Sequence, residues 1–355
     1  MKMNKRHSMK LSAFILLSLV LVTSGCATSG GGTAKPAAQG SSAPTKLPKV
    51  QIMVGGLEKI IYMPAKLTEN LGYFKDEGLD VELTSQASGV NAEQALIAGE
   101  VQGVVGYYDH TIDIQSKGKY LETVVQFGVV PGQRLMVSNK MKDQIKTLAD
   151  LKGKNIGVTS LGASTHFLAS YLVTKGGNTP KDYVPLAVGS GSTVVAAFEQ
   201  GKIDLVVTSQ PTIALLESKG LATSLADMES SSGTKQTLGG TYPAASLYMN
   251  ADYVKKNPEV VQHLANAFVK TEKYIASHTA EQIADLLPKE YYAGDKDMYL
   301  KALQASLSMF TPDGKMPAGG PEKVLEVLQT FNPQLKDTKT DLSKTFTNEF
   351  VDKVK

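Results

Sequence analysis

Two short segments of the sequence combine side chains that can exchange protons. Asp109 and His110 are adjacent, and His166 ends the segment GASTH at 162–166. A carboxylate beside an imidazole can act as a general acid–base pair or can clamp a polar ligand. The three groups could also ligate a metal, but only two of the chain's five histidines lie in these segments. The pattern therefore indicates polar binding or proton transfer, and it does not predict a metal site.

Both segments belong to a set of loops that each follow a predicted strand and precede a predicted helix. In open α/β sheets such loops meet beyond the carboxyl ends of the strands, where helix N-termini present free N–H groups. Their glycines allow close approach of the backbone, and their hydroxyls add donors, although ordinary helix capping would use the same residues. We expect one shared cleft lined by loops 55–56, 85–91, 107–110, 159–166, 189–193 and 209–211.

The pair Tyr107-Tyr108 lies directly after one of these strands. Two adjacent tyrosines within a strand point to opposite faces, whereas at its end one of them can reach a cleft. A tyrosine there could stack on a ligand or bond to it through the hydroxyl. The sequence leaves open whether either tyrosine does so.

Known catalytic signatures are missing from the sequence. No serine has glycine both two residues before and two residues after it, so the nucleophile elbow is absent. Neither a G-x-G-x-x-G segment nor a phosphate loop ending in Gly-Lys-Ser/Thr occurs. This favours binding over turnover. An enzyme with Asp109, His110 or His166 as general base remains the alternative.

Arginine is scarce, since the chain contains only Arg6 and Arg134. Arg134 directly precedes a predicted strand. Its guanidinium could be a surface charge, or it could be a two-pronged donor to a carboxylate or sulfonate ligand. The sequence does not decide between these interpretations.

Short β-branched runs alternate with amphipathic stretches from residue 50 onward, which is typical of an α/β fold with helices on both faces of a sheet. From residue 258 the pattern is almost purely helical. No repeat of 20–50 residues occurs, which excludes a solenoid. The predicted strands are 50–54, 79–83, 103–106, 123–127, 135–138, 155–158, 184–188, 205–208 and 246–249.

The N-terminal 46 residues predict export and anchoring. A cationic stretch and a twelve-residue, predominantly apolar run at 11–22 precede Thr23-Ser24-Gly25, which is typical of a signal peptide over 1–25. Cys26 is the only cysteine and lies where a lipoprotein signal peptidase would leave it for acylation. Residues 26–46 are rich in Gly, Ser, Ala and Pro, so we expect a flexible tether.

The charge balance argues against nucleic acid as a partner. Four of the basic residues lie in the first ten positions, and the remainder carries 33 Lys and Arg against 34 Asp and Glu. A nucleic-acid interface needs a basic face. With a single cysteine, neither a disulfide framework nor a thiolate metal site is possible.

Several stretches resemble the substrate-binding proteins of ABC transporters in the nitrate/sulfonate/taurine class. GYFKDEGLDVEL at 72–83 is similar to that family's helix-to-strand signature, and AEQALIAGEVQGVVGYYDHTI at 92–112 to the helix and cleft loop that follow. LADLKGKNIGVTSLGASTHF at 148–167 resembles the start of the second lobe. FEQGKIDLVVTSQPT at 198–212 and NPEVVQHLANAFVKTEKYI at 257–275 resemble its last βα unit and the C-terminal helix.

The resemblance implies a two-lobed fold of the periplasmic-binding-protein type, type II, with two hinge crossings and a mixed sheet flanked by helices in each lobe. Lobe 1 would comprise 47–137 plus 240–355, and lobe 2 would comprise 138–239. Related thiamine-pyrimidine synthases share this fold but use a cysteine-rich loop, which this chain lacks.

The resemblance also implies a monomeric, lipid-anchored receptor that has no cofactor and delivers a small solute to membrane permease subunits. We expect an organic solute that is anionic or aromatic, since scarce cationic side chains in the loops argue against nitrate. The family's binding positions carry over onto Gly55, Ser88, Gly89, Tyr107, Tyr108, Asp109, His110, Ser164, Thr165, His166, Ser190, Gly191, Ser192 and Gln210, with Arg134 and Tyr242 as further candidates.

Overall fold

The computed structural model describes residues 48–355. The expected signal peptide at 1–25, the tether at 26–46 and the acylation site Cys26 lie outside the described residues. Within 48–355, none of the helices has the length and apolar character needed to cross a bilayer.

Two five-stranded sheets organise the chain. The first contains β1 (Lys49–Val54), β2 (Asp80–Ser85), β3 (Gly103–Tyr107), β4 (Leu121–Gln126) and β10 (Ala245–Asn250). The second contains β5 (Gln133–Ser138), β6 (Asn155–Val158), β7 (Val184–Ala187), β8 (Leu205–Ser209) and β9 (Ala222–Met228). All nine predicted strands are present, with ends shifted by at most two residues. The prediction missed β9, whose central residues are partly or fully exposed at the sheet edge.

The two sheets share one topology. Their strand orders are β2-β1-β3-β10-β4 and β7-β6-β8-β5-β9. In the first sheet β1 runs parallel to β2 and β3, whereas β10 runs antiparallel to β3 and β4. In the second sheet β6 runs parallel to β7 and β8, whereas β5 runs antiparallel to β8 and β9. The expected α/β class with two mixed sheets is therefore confirmed.

The strand pairing moves one lobe boundary. Lobe 1 was expected to extend to residue 137. However, β5 lies between β8 and β9 and therefore belongs to the second sheet. The first crossing thus lies at 127–132, before β5. The second crossing follows Leu238, the end of α8, and precedes β10. A local sequence pattern could not reveal which sheet would accept β5.

Helices cover the faces of both sheets. They are α1 (Met63–Asn70), α2 (Tyr73–Asp76), α3 (Gly89–Ala98), α4 (Asp109–Gln115), α5 (Ser164–Lys175), α6 (Ser192–Glu199), α7 (Thr212–Ser218), α8 (Ser231–Leu238), α9 (Ala251–Lys256), α10 (Pro258–Ser277), α11 (Ala280–Ala284), α12 (Lys296–Ser306), α13 (Gly320–Phe331) and α14 (Pro333–Asp337). The C-terminal helices contact both lobes, because α10 packs on α1 and α2, while α12 packs on α7 and α13 packs on α5.

One carboxyl group is buried in this helical layer without compensation. Glu272 of α10 is 1% exposed, and neither of its carboxyl oxygens has a hydrogen-bond partner in the described part of the chain. Burial raises the pKa of Glu272 well above its usual 4.5. The raised pKa favours the neutral form of the carboxyl group, and its unbonded polar atoms destabilise the fold.

We predict that Glu272→Met stabilises the protein by about 1–3 kcal/mol at pH 7, because it removes buried polar atoms at similar side-chain volume. The unfolded chain releases the Glu272 proton near pH 4.5, whereas the folded chain retains it. The advantage of the variant should therefore grow as pH rises above 4.5. Urea unfolding at several pH values measures this, with Glu259→Gln on the exposed side of the same helix as control. An unchanged or lower stability of Glu272→Met would contradict the prediction.

Candidate functional site

Loops from the two lobes meet at one gap, as the sequence analysis expected. Ser164 Oγ of lobe 2 donates a hydrogen bond to Asp109 Oδ1 of lobe 1 at 2.7 Å. Ser190 Oγ of lobe 2 donates to the Glu58 carboxylate at 3.2 Å. The gap is thus closed by direct contacts between the lobes. We call the space between these loops the interlobe gap.

The buried floor of the gap is polar. Asp109 and His110 are fully buried at the N-terminus of α4, and Ser164 faces them from the N-terminus of α5. Tyr242, in the second crossing, donates to Asp109 Oδ2 at 3.2 Å. Burial raises the pKa of Asp109, although His110, Ser164 and Tyr242 oppose that shift. Four of the expected site residues are therefore brought together.

His110 carries a positive charge in this arrangement because of a residue that the sequence analysis did not select. Glu93 of α3 is 4% exposed and places its Oε2 at 2.6 Å from His110 Nδ1. Burial alone would lower the pKa of His110, but the carboxylates of Glu93, Asp109 and Asp113 together outweigh it, with Glu93 contributing most, and raise the pKa to about 9. Glu93 could have been noticed only as an acidic residue on an otherwise apolar helix face.

A second buried charge, also missed, lies at the end of β1. Lys59 is 7% exposed, and its Nζ donates to Gly55 O at 2.6 Å and to Ala87 O at 3.3 Å. Burial lowers the pKa of Lys59 to about 8. No carboxylate of the described chain forms an ion pair with it. In the sequence, the only indication of a role for this residue is its position as a single lysine between Gly55-Gly56 and an apolar run.

The lysine lies beside the N-terminus of α3. Ser88 precedes this helix and is fully buried, and its hydroxyl has no partner in the part of the chain that the structure describes. Gly55 and Gly89 let the two segments approach, since a Cβ on Gly55 would lie 2.9 Å from Gly89 Cα. Free backbone N–H groups, an unpaired hydroxyl and an ammonium group together favour a negative charge at this place.

The two tyrosines after β3 point in different directions. Tyr107 contacts the first crossing and the start of β5, where its hydroxyl donates to Pro131 O and accepts from Gln133 Nε2. Its ring meets the ring of Tyr62 edge-on at 6.1 Å. The Tyr108 hydroxyl instead bonds to Thr345 Oγ1 at 2.5 Å. Tyr108 was among the expected binding residues, and its fully buried ring meets Phe346 of the C-terminal segment edge-on at 6.4 Å.

Lobe 2 contributes groups that are mostly engaged within their own loops. Thr165 Oγ1 accepts from Thr159 N at 2.9 Å, and His166 Nδ1 accepts from Gly162 N at 3.0 Å. Burial lowers the pKa of His166, so its ring is neutral at pH 7. The remaining expected residues lie at the N-terminal ends of α6 and α7. At α6, Gly191 N donates to Thr212 Oγ1, and Ser192 is exposed. At α7, the side-chain oxygen of Gln210 accepts from Ala214 N, and its backbone oxygen accepts from Ile60 N of lobe 1.

Arg134 does not point into the interlobe gap. Its guanidinium lies 3.1 Å from Glu217 Oε1 and 2.7 Å from Glu229 Oε2, so two acidic side chains of lobe 2 hold it. The neighbouring Gln133 contacts Tyr107, and alternation along β5 directs Arg134 to the opposite face. Of the two interpretations left open by the sequence, the structure supports the one without a ligand.

Two mixed sheets of matching topology, two crossings and a shared gap define the class of two-lobed proteins with the periplasmic-binding-protein fold. The chain belongs to the NMT1/THI5 like family, whose model matches residues 62–282.

Solved structures of similar proteins cover most of the chain. A protein of Bordetella bronchiseptica RB50 is 36% identical, with a TM-score of 0.83 over 86% of this chain and 96% of that one. The alkanesulfonate-binding protein SsuA of Xanthomonas axonopodis pv. citri, solved with MOPS, is 18% identical, with a TM-score of 0.64 over 85% and 99%. At that identity the second likeness concerns the fold alone.

Curated relatives include a binding protein and an enzyme. YtlA of Bacillus subtilis, named as a binding protein, is 24% identical over 283 residues, or 77% of this chain and 79% of the relative. The pyrimidine phosphate synthase THI13 of Saccharomyces cerevisiae is 26% identical over 223 residues, or 60% of this chain and 63% of that one.

We predict that Lys59 titrates near pH 8, more than two units below an exposed lysine, because its ammonium is buried without a carboxylate partner. NMR of protein labelled with ¹³C at lysine Cε should show one resonance with this midpoint, and Lys59→Met should remove it. Lys66→Met, which removes a half-buried lysine paired with Glu69, should leave it in place. A Lys59 resonance with a midpoint above 10 would contradict the assignment.

Proposed function

We propose that the protein is the extracytoplasmic solute-binding component of an ABC importer and that it captures a small organic anion, such as a sulfonate, in the interlobe gap. The observation that carries the proposal is the buried Lys59 ammonium, which lacks a carboxylate partner in the described chain. The family membership and the similarity to binding proteins support the general role.

The electrostatics of Lys59 favour an anionic solute. A buried ammonium that bonds only to carbonyl oxygens is destabilised by desolvation, as its lowered pKa reflects. A carboxylate or sulfonate placed against Lys59 would compensate this charge. The free hydroxyl of Ser88 and the N-terminus of α3 would then donate to the remaining oxygens.

Closure of the lobes would couple solute capture to transport. A solute that contacts both lobes binds the closed form more tightly, and it shifts the equilibrium by that difference in affinity. The closed receptor would then deliver the solute to permease subunits in the membrane. The ATP hydrolysis that drives import would take place on another subunit.

The alternative of an enzyme is disfavoured by the state of its candidate bases. His110 pairs with Glu93 and has a pKa of about 9, so it holds its proton at pH 7 and cannot accept another. Asp109 already accepts hydrogen bonds at both oxygens. His166 is neutral, but its Nδ1 accepts a backbone bond within its own loop. We therefore infer binding without turnover.

Calorimetry should find stoichiometric binding of at least one of methanesulfonate, benzenesulfonate and benzoate, and none of a neutral pyrimidine. Lys59→Met should weaken that binding at least ~30-fold, since removing one partner of a buried charge pair costs about 2 kcal/mol or more. Above pH 8, wild-type affinity should fall by up to about tenfold per pH unit because the anion needs protonated Lys59.

Lys66→Met is the matched control, because this half-buried lysine of α1 already pairs with the Glu69 carboxylate, and its loss should leave the affinity unchanged. Equal affinity of wild type and Lys59→Met for the bound anion would overturn the assigned charge partner. Conversion of any of these compounds to a product would overturn the receptor function itself.

We further propose that Cys26 carries the lipid that anchors the protein to the cell envelope. In bacteria expressing the full chain, wild-type protein should sediment with membranes, and Cys26→Ser should shift most of it to the supernatant after ultracentrifugation. Ser29→Ala, in the same tether, should behave as wild type. The proposal fails if Cys26→Ser remains in the membrane fraction to the same extent.

A further inference from the structure

Three residues that were expected to contact a solute contact one another instead. Ser164 Oγ of lobe 2 donates to Asp109 Oδ1 at 2.7 Å and lies 3.4 Å from His110 Nε2. Each of the three side chains is at most 5% exposed. The bonds cross the interlobe gap directly, and their donors and acceptors all belong to the protein.

The polar groups around Ser164 satisfy each other in the closed form. His110 is held as a cation by Glu93 at 2.6 Å, so its Nε2 carries a proton and can donate to Ser164 Oγ. The hydroxyl of Ser164 in turn donates a hydrogen bond to Asp109, whose other oxygen accepts from Tyr242. This chain of bonds is complete without a solute, and opening the lobes would break both bonds of Ser164.

We propose that Ser164, Asp109 and His110 form a latch that stabilises the closed form of the protein, so that part of the free energy of closure comes from the chain itself. The solute then needs to supply only the remainder. The inference concerns the two lobes and does not depend on which solute the gap takes, and its test uses no solute. It can therefore fail while the proposed function stands, and the reverse also holds.

Of the other contacts between the lobes, two at the loops of the gap are weaker candidates for this role, and a buried bond from Ser306 Oγ of α12 to Glu229 Oε1 at 3.2 Å lies outside these loops. The bond from Ser190 to Glu58 is exposed to water, where such a bond contributes little. The bond between Ile60 N and Gln210 O involves only backbone atoms. Ser164 is the buried side chain of lobe 2 that meets a buried carboxylate of lobe 1, and a hydrogen bond to a charged group in such a place is a strong one.

Thr165 offers a matched control on the same turn of α5. It is also buried, but its hydroxyl accepts from Thr159 N within lobe 2. Ser164→Ala removes the bonds across the gap and suits the first turn of a helix. Thr165→Val removes a hydroxyl of equal burial and leaves the contacts between the lobes in place.

Small-angle X-ray scattering of the full chain without solute measures closure through the radius of gyration. We expect a compact wild type and a compact Thr165→Val. Ser164→Ala should show a larger radius, with the open-to-closed ratio raised about tenfold, which corresponds to about 1.4 kcal/mol. Calorimetric melting of each variant checks that the lobes themselves remain folded.

Asp109→Asn tests the same latch from lobe 1. The amide can still accept from Ser164, but the bond loses its charge, so partial opening is expected. In this background Ser164→Ala should add less opening than it does in the wild type, because the two residues act through one bond. Equal radii of wild type and Ser164→Ala, equal opening by Thr165→Val, or fully additive effects of Ser164→Ala and Asp109→Asn would each overturn the latch.

Discussion

The burial of the Asp109 carboxylate between two lobes governs the arrangement around it. Removing this charge from water is unfavourable unless hydrogen bonds replace the lost hydration. The chain provides one bond from Tyr242 in the second crossing and one from Ser164 in lobe 2. Glu93 keeps the neighbouring His110 cationic, which further favours the carboxylate. Because one of these groups comes from the other lobe, satisfaction of Asp109 is complete only when the lobes are closed.

The interlobe gap therefore contains two charges in opposite situations. Asp109 is compensated by the protein, and the contacts that compensate it also join the lobes. Lys59 is buried at the end of β1, and only carbonyl oxygens accept its hydrogen bonds. A binding protein needs both conditions, since closure requires contacts between lobes and recognition requires a group that the protein leaves unsatisfied. Under the two proposals above, the floor of the gap would hold the lobes together and the segment around Lys59 would recognise the solute.

Much of this architecture could be predicted from the sequence because it depends on local patterns. Nine of the ten strands were located from β-branched runs, whereas β9 was missed. The features that the pattern missed depend on contacts between residues far apart in the sequence. β5 pairs within the second sheet, the Tyr108 hydroxyl bonds to Thr345, and Arg134 pairs with acidic side chains of lobe 2. Glu93 and Lys59 lay in segments read as ordinary helix and loop, and only neighbours far along the chain gave them a role.

The sequence by itself determined the α/β class, the alternation of elements and the small polar loops, because hydrophobic periodicity and turn residues act over a few positions. The tertiary structure alone decided which polar groups became partners. A hydrogen bond between Ser164 and Asp109 joins residues 55 positions apart, and nothing in either local segment encodes it. Burial depth, which sets the charge states of Lys59 and His110, is likewise a property of the folded chain, because it depends on how both lobes pack around each group.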